Sequence, residues 1–288
     1  MGARPRPLWW LRKQLLQGLP LPKDRWVDQQ CDGGELHEFH IRDRRDERRI
    51  LLALIDQHNA SRGEKNRALR VALCRPHHPC RDWACFLCRH RAWEEMRAKA
   101  VSLSAGLRPH SISWLTIIAG AAEFGIPQVE AQIEDTSASL NQLLNGWPNV
   151  TVIGRYEVDY WGQNQHIPDK KRKTLESFNV PVDGSVPLLV PHLHAIVFHP
   201  GRRREFIRIP IAKRFPGAYR VLLGPLRHYK STEDNLDALI RYPLKFELPE
   251  WHRQDPSDKA LRYFCRLIDT LGGLNGKLCY EFPIRSHS

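Results

Sequence analysis

The stretch VPHLHAIVFHP, residues 190–200, constrains the fold of this chain more than any other feature. It is an apolar run typical of a β-strand, yet it carries His192 and His194 with a single leucine between them. Side chains two positions apart on a strand point to the same face of a sheet, so the two imidazoles would lie close enough to bind one metal ion. The alternative is a pair of ordinary core or edge histidines, in a chain that contains 14 histidines.

Four of the seven cysteines lie close together in the segment CRPHHPCRDWACFLC. Such clustering is unsuited to a disulfide framework and typical of a metal site. A C-x2-C pair commonly forms a knuckle that binds Zn²⁺ through two thiolates, and two more thiolates complete a tetrahedron. We therefore predict a structural zinc site, in which His77 or His78 could replace one thiolate, and the alternative is a set of reduced buried cysteines. The predicted ligands are Cys74, Cys80, Cys85 and Cys88.

The other three cysteines, Cys31, Cys265 and Cys279, are isolated in the sequence and are expected to be ordinary core residues.

The charge balance indicates the class of partner. With 44 Lys and Arg against 32 Asp and Glu, the chain has a formal net charge of +12, which favours a polyanion such as nucleic acid. No apolar run approaches the roughly 20 residues needed to span a bilayer, and the N-terminus lacks the features of a secretory signal. We therefore expect a cytoplasmic protein with no membrane partner.

The chain is predicted to consist of three regions. Residues 1–106 would comprise a basic N-terminal arm over 1–40, a helix over 43–58 and the zinc knuckle, which leads into a second helix that ends at Gly106. Arg89 and Arg91 lie on that second helix and are predicted to contact nucleic acid. Residues 107–250 would form the core of the protein, and residues 251–288 a C-terminal helical extension.

The middle region has the pattern of a mixed fold. The segments SISWLTIIAG and NVTVIGRYEVDYW are β-branched strands joined by a helix over 127–146, and a basic loop over 161–187 precedes the histidine strand. This order predicts an α+β fold with a mostly antiparallel central sheet and helices on one face, together with a helical zinc-knuckle part at the N-terminus. Three consecutive arginines follow the histidine strand and are predicted DNA contacts: Arg202, Arg203 and Arg204.

A helical pattern after residue 231 leads to Tyr242 and Lys245, which would share a helix face at a spacing of three. A Y-x-x-K pair is a weak signal alone, and the order of motifs gives it weight. The chain resembles the HUH nuclease superfamily, and within it the single-tyrosine rolling-circle replication initiators of small plasmids. The segments that carry this resemblance are WLTII at 114–118, RYEVDY at 155–160, PHLHAIVF at 191–198 and RYPLK at 241–245, preceded by the cysteine cluster.

The resemblance implies an HUH fold for residues 107–250 and a role for each site residue. His192, His194 and Glu157 would bind Mg²⁺ or Mn²⁺, with Asp159 as the alternative carboxylate. Tyr242 would attack the scissile phosphate and form a 5′-phosphotyrosine with a free 3′-OH. Lys245 would stabilise the developing charge.

The same resemblance implies the partners: single-stranded or hairpin origin DNA at a plasmid or phage-like origin, a host polymerase and a separate helicase. Pro243 disfavours a helix at the residue before it, so Tyr229, which also has a neighbouring lysine, is the alternative nucleophile. A single-tyrosine HUH transposase acting on single-stranded DNA is an alternative function. A non-catalytic zinc-containing nucleic-acid-binding regulator is another.

Overall fold

The described part of the chain falls into two compact units, which divide between Ala92 and Trp93, with residues 278–283 in the second unit. This division falls within the helix after the cysteine cluster, so that helix belongs in part to each unit. The sequence predicts the boundary later, at residue 106. The computed structural model describes residues 7–19, 21, 38–56, 61–75, 77–82, 85–123, 126–161, 167–183, 185–186, 188–242 and 278–283.

The first unit is helical. The first helix contacts the second, and both contribute buried residues one turn apart, such as Leu11 and Leu15 of the first and Ile50 and Leu54 of the second. The prediction of an irregular N-terminal arm is therefore wrong for its first helix, because Leu11 and Leu15 of LWWLRKQLL have helical spacing and are buried. The helices are α1 (Leu8–Leu16), α2 (Glu38–Asp56), α3 (Arg62–Ala72) and α4 (Phe86–Ser104), which ends in the second unit.

The second unit is built on an antiparallel sheet in the order β5-β1-β4-β3-β6, with the short β2 paired to the start of β4. The strand β4 is central and buried on both faces, which explains its nearly continuous apolar sequence. The elements are β1 (Ile112–Ile118), β2 (Ala122–Glu123), α5 (Ile126–Leu144), β3 (Thr151–Trp161), α6 (Asp169–Glu176), β4 (Leu188–Phe198), α7 (Arg204–Arg214), β5 (Val221–Pro225), α8 (Thr232–Arg241) and β6 (Cys279–Phe282).

Helices lie against both faces of this sheet. Tyr156 and Glu157 are neighbours on β3, so their side chains point to opposite faces. The Tyr156 hydroxyl lies 2.8 Å from Ser137 Oγ of α5, whereas the face of Glu157 is covered by α6 and α8. The α+β class and the antiparallel sheet are confirmed, and the expectation of helices on a single face is wrong.

Two further elements differ from the expectation. Residues 169–176 form α6 inside the predicted basic loop, because Leu175 and Thr174 are buried on one side of an otherwise charged helix. Residues 279–282 form the edge strand β6, so this part of the predicted C-terminal helical extension is a strand. Within the described ranges, no helix is both long enough and apolar enough to cross a membrane.

Candidate active site

The antiparallel register of β3 and β4 brings a carboxylate to the two histidines of the apolar strand. Glu157 lies directly opposite His192, and His194 lies opposite Arg155. Glu157 Oε2 is 3.3 Å from His192 Nε2 and 3.2 Å from His194 Nε2. The ligand atoms of the three side chains all lie within 4.8 Å of one another, so they could hold a metal ion.

The hydrogen bonds of the two imidazoles leave their Nε2 atoms directed at the carboxylate. His192 Nδ1 lies 3.1 Å from the carbonyl oxygen of Val190, which can only accept, so this nitrogen carries the proton. His194 Nδ1 lies 3.1 Å from the hydroxyl of Thr116 on β1. Metal-binding histidines typically have their second nitrogen fixed in this way.

The atoms that face one another lack hydrogen bonds. Glu157 Oε2 and His194 Nε2 are buried, and neither makes a hydrogen bond within the described part of the chain. Their close approach at 3.2 Å therefore lacks hydrogen-bond geometry. In the neutral form of His192 with the proton on Nδ1, the lone pair of Nε2 also faces the carboxylate. A cation between these atoms would satisfy all three groups, so the residues present fit a metal ion.

The protonation equilibria of the three groups are coupled. Burial alone would raise the pKa of Glu157, but the two imidazoles outweigh it and lower that pKa to about 2. Burial alone would lower the pKa of His192, yet the carboxylates of Glu157 and Asp159 raise it. Burial lowers the pKa of His194. The carboxylate thus remains ionised and available to a cation over the whole physiological range.

The alternative carboxylate has a different environment. Asp159 accepts a hydrogen bond of 3.0 Å from Lys171 Nζ, which also lies 4.4 Å above the ring of Trp161. Asp159 is not a member of the group that could hold the ion. Of the two carboxylates that the sequence left open, Glu157 is therefore the one whose oxygen lies among the imidazole nitrogens.

Tyr242 lies at the C-terminal cap of α8 and faces this group. Its ring centroid is 4.8 Å from that of His194, and 57% of the residue is exposed. The tyrosine is therefore at the end of a helix, where Pro243 can follow without breaking it. Lys245 lies outside the described residues.

The alternative nucleophile is located elsewhere. Tyr229 is 68% exposed and does not line the cleft that contains His192 and His194. Its hydroxyl accepts a hydrogen bond of 3.2 Å from Arg227. The geometry favours Tyr242.

Ionic and ring contacts attach α8 to the second part of α4. Arg97 forms an ion pair with Glu233 and lies 3.6 Å from Asp237, which also pairs with Arg241 at 2.9 Å. The Arg241 guanidinium lies 5.2 Å from the ring of Trp93. These contacts position the helix end that carries Tyr242.

The two histidines of the metal-ligand group, His192 and His194, line a cleft of about 580 Å³ together with Tyr242. Four cations that were not among the predicted site residues also line it. They come from α6 and from the connection between β5 and α8, which tertiary packing brings together: Lys170, Lys171, Arg227 and Lys230.

The predicted DNA-binding arginines have different environments. Arg202, Arg203 and Arg204 follow the end of β4 and are exposed or half-buried, but they do not line the cleft. Arg89 is only 3% exposed, so the expectation that it contacts nucleic acid is wrong for this conformation. Arg91 is exposed on α4.

The four clustered cysteines form a second group in the first unit that could hold a metal ion. Cys88 Sγ lies 3.6 Å from both Cys74 Sγ and Cys80 Sγ. Tetrahedral zinc with bonds of 2.3 Å requires sulfur–sulfur distances of about 3.8 Å, close to those observed. The two histidines that were alternative ligands, His77 and His78, are exposed and outside the group.

Local structure assembles this cysteine group. Cys74 follows α3, and Cys85 and Cys88 lie at the start of α4. The backbone N–H of Cys80 donates to Cys74 Sγ at 3.3 Å, and that of Arg81 donates to Cys88 Sγ at 3.2 Å. These bonds stabilise thiolates, as expected in a zinc knuckle.

A buried ion pair fixes the loop between the cysteines to α3. Arg67 donates two hydrogen bonds to Asp82, at 2.6 and 2.9 Å, and both residues are buried.

Of the cysteines predicted to lie in the core, Cys279 is exposed at the start of β6, and Cys31 and Cys265 lie outside the described residues.

No protein-family model, curated protein or solved structure matches this chain.

Proposed function

We propose that this protein is an HUH-type endonuclease that nicks one strand of DNA through Tyr242 and remains attached to the 5′ phosphate. One observation carries the proposal. The ligand atoms of Glu157, His192 and His194 lie together, and both histidines line a cleft with the exposed Tyr242, whose ring centroid is 4.8 Å from that of His194. The order of these residues along the chain is that of the family motifs.

The chemistry follows from the residues in the cleft. Glu157, His192 and His194 would hold Mg²⁺ or Mn²⁺, which supplies a Lewis acid for the scissile phosphate. Tyr242 Oη attacks the phosphorus, so a phosphotyrosine bond forms as the bond to the 3′ oxygen breaks. The phenol proton passes to solvent, and the departing oxygen takes up a proton as a 3′-OH. The cleft cations, such as Lys171 and Lys230, attract the DNA backbone.

The proposed biological role is initiation of rolling-circle replication at a plasmid or phage-like origin. The free 3′-OH is a primer for a host polymerase, and a separate helicase would unwind the duplex. The cysteine group would bind structural Zn²⁺, because four thiolates leave no open coordination position for water. A cysteine cluster ahead of the first strand favours the initiator over the transposase. A non-catalytic regulator would leave the metal-ligand group and Tyr242 without a joint purpose.

The test is a denaturing gel of protein incubated with a randomised single-stranded DNA pool and Mn²⁺. Two samples of the pool are used, labelled at the 3′ or the 5′ end. Attack by Tyr242 should transfer only the 3′ label to the protein, because the downstream fragment keeps the 5′ phosphate.

Variants separate the roles in this experiment. Tyr242→Phe should abolish the adduct, whereas Tyr229→Phe should retain it, and chelation of Mn²⁺ should prevent it. An adduct that persists in Tyr242→Phe would assign another nucleophile. Transfer of the 5′ label would exclude the proposed polarity.

A further inference from the structure

A turn at the edge of the cleft presents an aromatic ring to solvent in an unfavourable backbone conformation. Tyr219 has φ 58°, in the left-handed region that bulky side chains rarely adopt. It lines the cleft and is 48% exposed. Strain of this kind often marks a functional position. Among the described non-glycine residues with positive φ, the others are two asparagines and an arginine: Asn149, Asn179 and Arg81.

The residues on either side of Tyr219 are fixed. Thr174 Oγ1 of α6 donates a hydrogen bond of 2.7 Å to the carbonyl oxygen of Ala218. Arg220 donates to the carbonyl oxygens of Ile118 at 3.1 Å and Ala119 at 3.3 Å. The backbone that carries Tyr219 is therefore fixed at the edge of the cleft.

One cation lies near this ring, and three more line the same cleft. Lys170 Nζ lies 6.0 Å from its centroid, and Lys171, Arg227 and Lys230 line the same cleft. A flat aromatic surface beside several cations matches the two parts of a nucleotide, because the base can stack and the phosphate can pair. In a duplex the faces of a base are covered by its neighbours, so the nucleotide must be unpaired.

We propose that Tyr219, the nearby Lys170 and the other cations of the cleft form a binding subsite for one unpaired nucleotide. The base stacks on the Tyr219 ring while the cations contact the flanking phosphates. The identity of the ligand rests on the proposed function, and the subsite extends that function to residues that no sequence motif indicated. It acts without base-specific hydrogen bonds, so it accepts different bases.

The test is equilibrium binding by fluorescence anisotropy in EDTA, so that neither metal nor cleavage contributes. The probe is a fluorescein-labelled oligothymidylate of about 12 nucleotides, within the site sizes of single-strand binders. The main variant is Tyr219→Gly, because glycine adopts positive φ without strain and the turn should fold at least as well. Tyr219→Phe keeps the ring. Phe206→Ala is the matched control, since Phe206 is 66% exposed on α7 and does not line the cleft.

Tyr219→Gly should weaken oligothymidylate binding about 5- to 150-fold, whereas Tyr219→Phe and Phe206→Ala should stay within about 2-fold of wild type. An abasic strand of equal length should bind weakly and with the same affinity to wild type and Tyr219→Gly. Equal oligothymidylate affinity of wild type and Tyr219→Gly would overturn the subsite, as would a failure of wild type to bind. If Tyr219→Gly weakens oligothymidylate binding but the wild-type protein never forms a covalent adduct with DNA, the subsite is supported and the proposed nuclease activity is rejected.

Discussion

Glu157 and His192 lie directly opposite each other on the paired strands β3 and β4, with Oε2 and Nε2 3.3 Å apart. Their pairing converts a local sequence pattern, two histidines on one strand, into a three-ligand group. The carboxylate is the one member contributed by β3.

Removal of the Glu157 charge should weaken metal binding. Glu157→Gln keeps the size of the side chain but takes away the anionic ligand, so we expect Mn²⁺ affinity to fall about 10-fold or more. Isothermal titration calorimetry measures this. Asp159→Asn is the control and should bind Mn²⁺ nearly as wild type does, because Asp159 contacts Lys171. Equal losses in the two variants would contradict the assignment of the ligand.

Thr116 should affect the metal affinity of the same site without contacting the ion. Its hydroxyl lies 3.1 Å from His194 Nδ1 and orients the ring. Thr116→Val removes this contact at nearly constant volume, so Mn²⁺ affinity should fall about 10- to 100-fold. Thr116→Ser should restore it. An unchanged affinity in Thr116→Val would show that sheet packing alone orients His194.

The buried His199 should make stability depend on pH. It lies between Ser113 Oγ and the carbonyl oxygen of Arg202, each 2.9 Å away, and burial lowers its pKa, with Arg204 and His110 acting in the same direction. The unfolded chain therefore binds the proton more readily. Stability should fall as pH drops below about 6.5, by at most about 1.4 kcal/mol per pH unit from this group.

Urea unfolding at several pH values tests this dependence. His199→Asn can still donate to the Arg202 carbonyl oxygen but cannot take up a proton, so its stability should change less on acidification. The exposed His110 provides the control, because His110→Asn should retain most of the wild-type dependence. If the free energy of unfolding falls equally with decreasing pH in wild type and in His199→Asn, the prediction is wrong.

The cysteine group should contain zinc and stabilise the first unit. Elemental analysis should find about one zinc per chain, and Cys85→Ser should lose it together with several kcal/mol of stability. Circular dichroism after chelation should show helix loss, whereas Cys279→Ser should melt as wild type does. Unchanged melting of Cys85→Ser, or purified protein without zinc, would refute the four-thiolate site.

Sequence patterns could predict those parts of the candidate site whose residues are close together in the chain. Alternation along a strand places His192 and His194 on one face, and cysteine spacing defines the knuckle. The cations of α6 and the ring of Tyr219 could not be found this way, because packing of separate elements brings them to the cleft. The helix α6 was missed because six of its eight residues are charged, which leaves little apolar pattern.

The central position of β4 has a consequence for folding. β1 and β3 flank this strand, and a slip of one residue in its pairing would turn both imidazoles to the opposite face. An ion at the proposed site would bind only to correctly paired strands, so it would favour them over slipped alternatives by mass action. Metal occupancy would then report on the fidelity of strand alignment, and cells short of the ion would accumulate more misregistered chains.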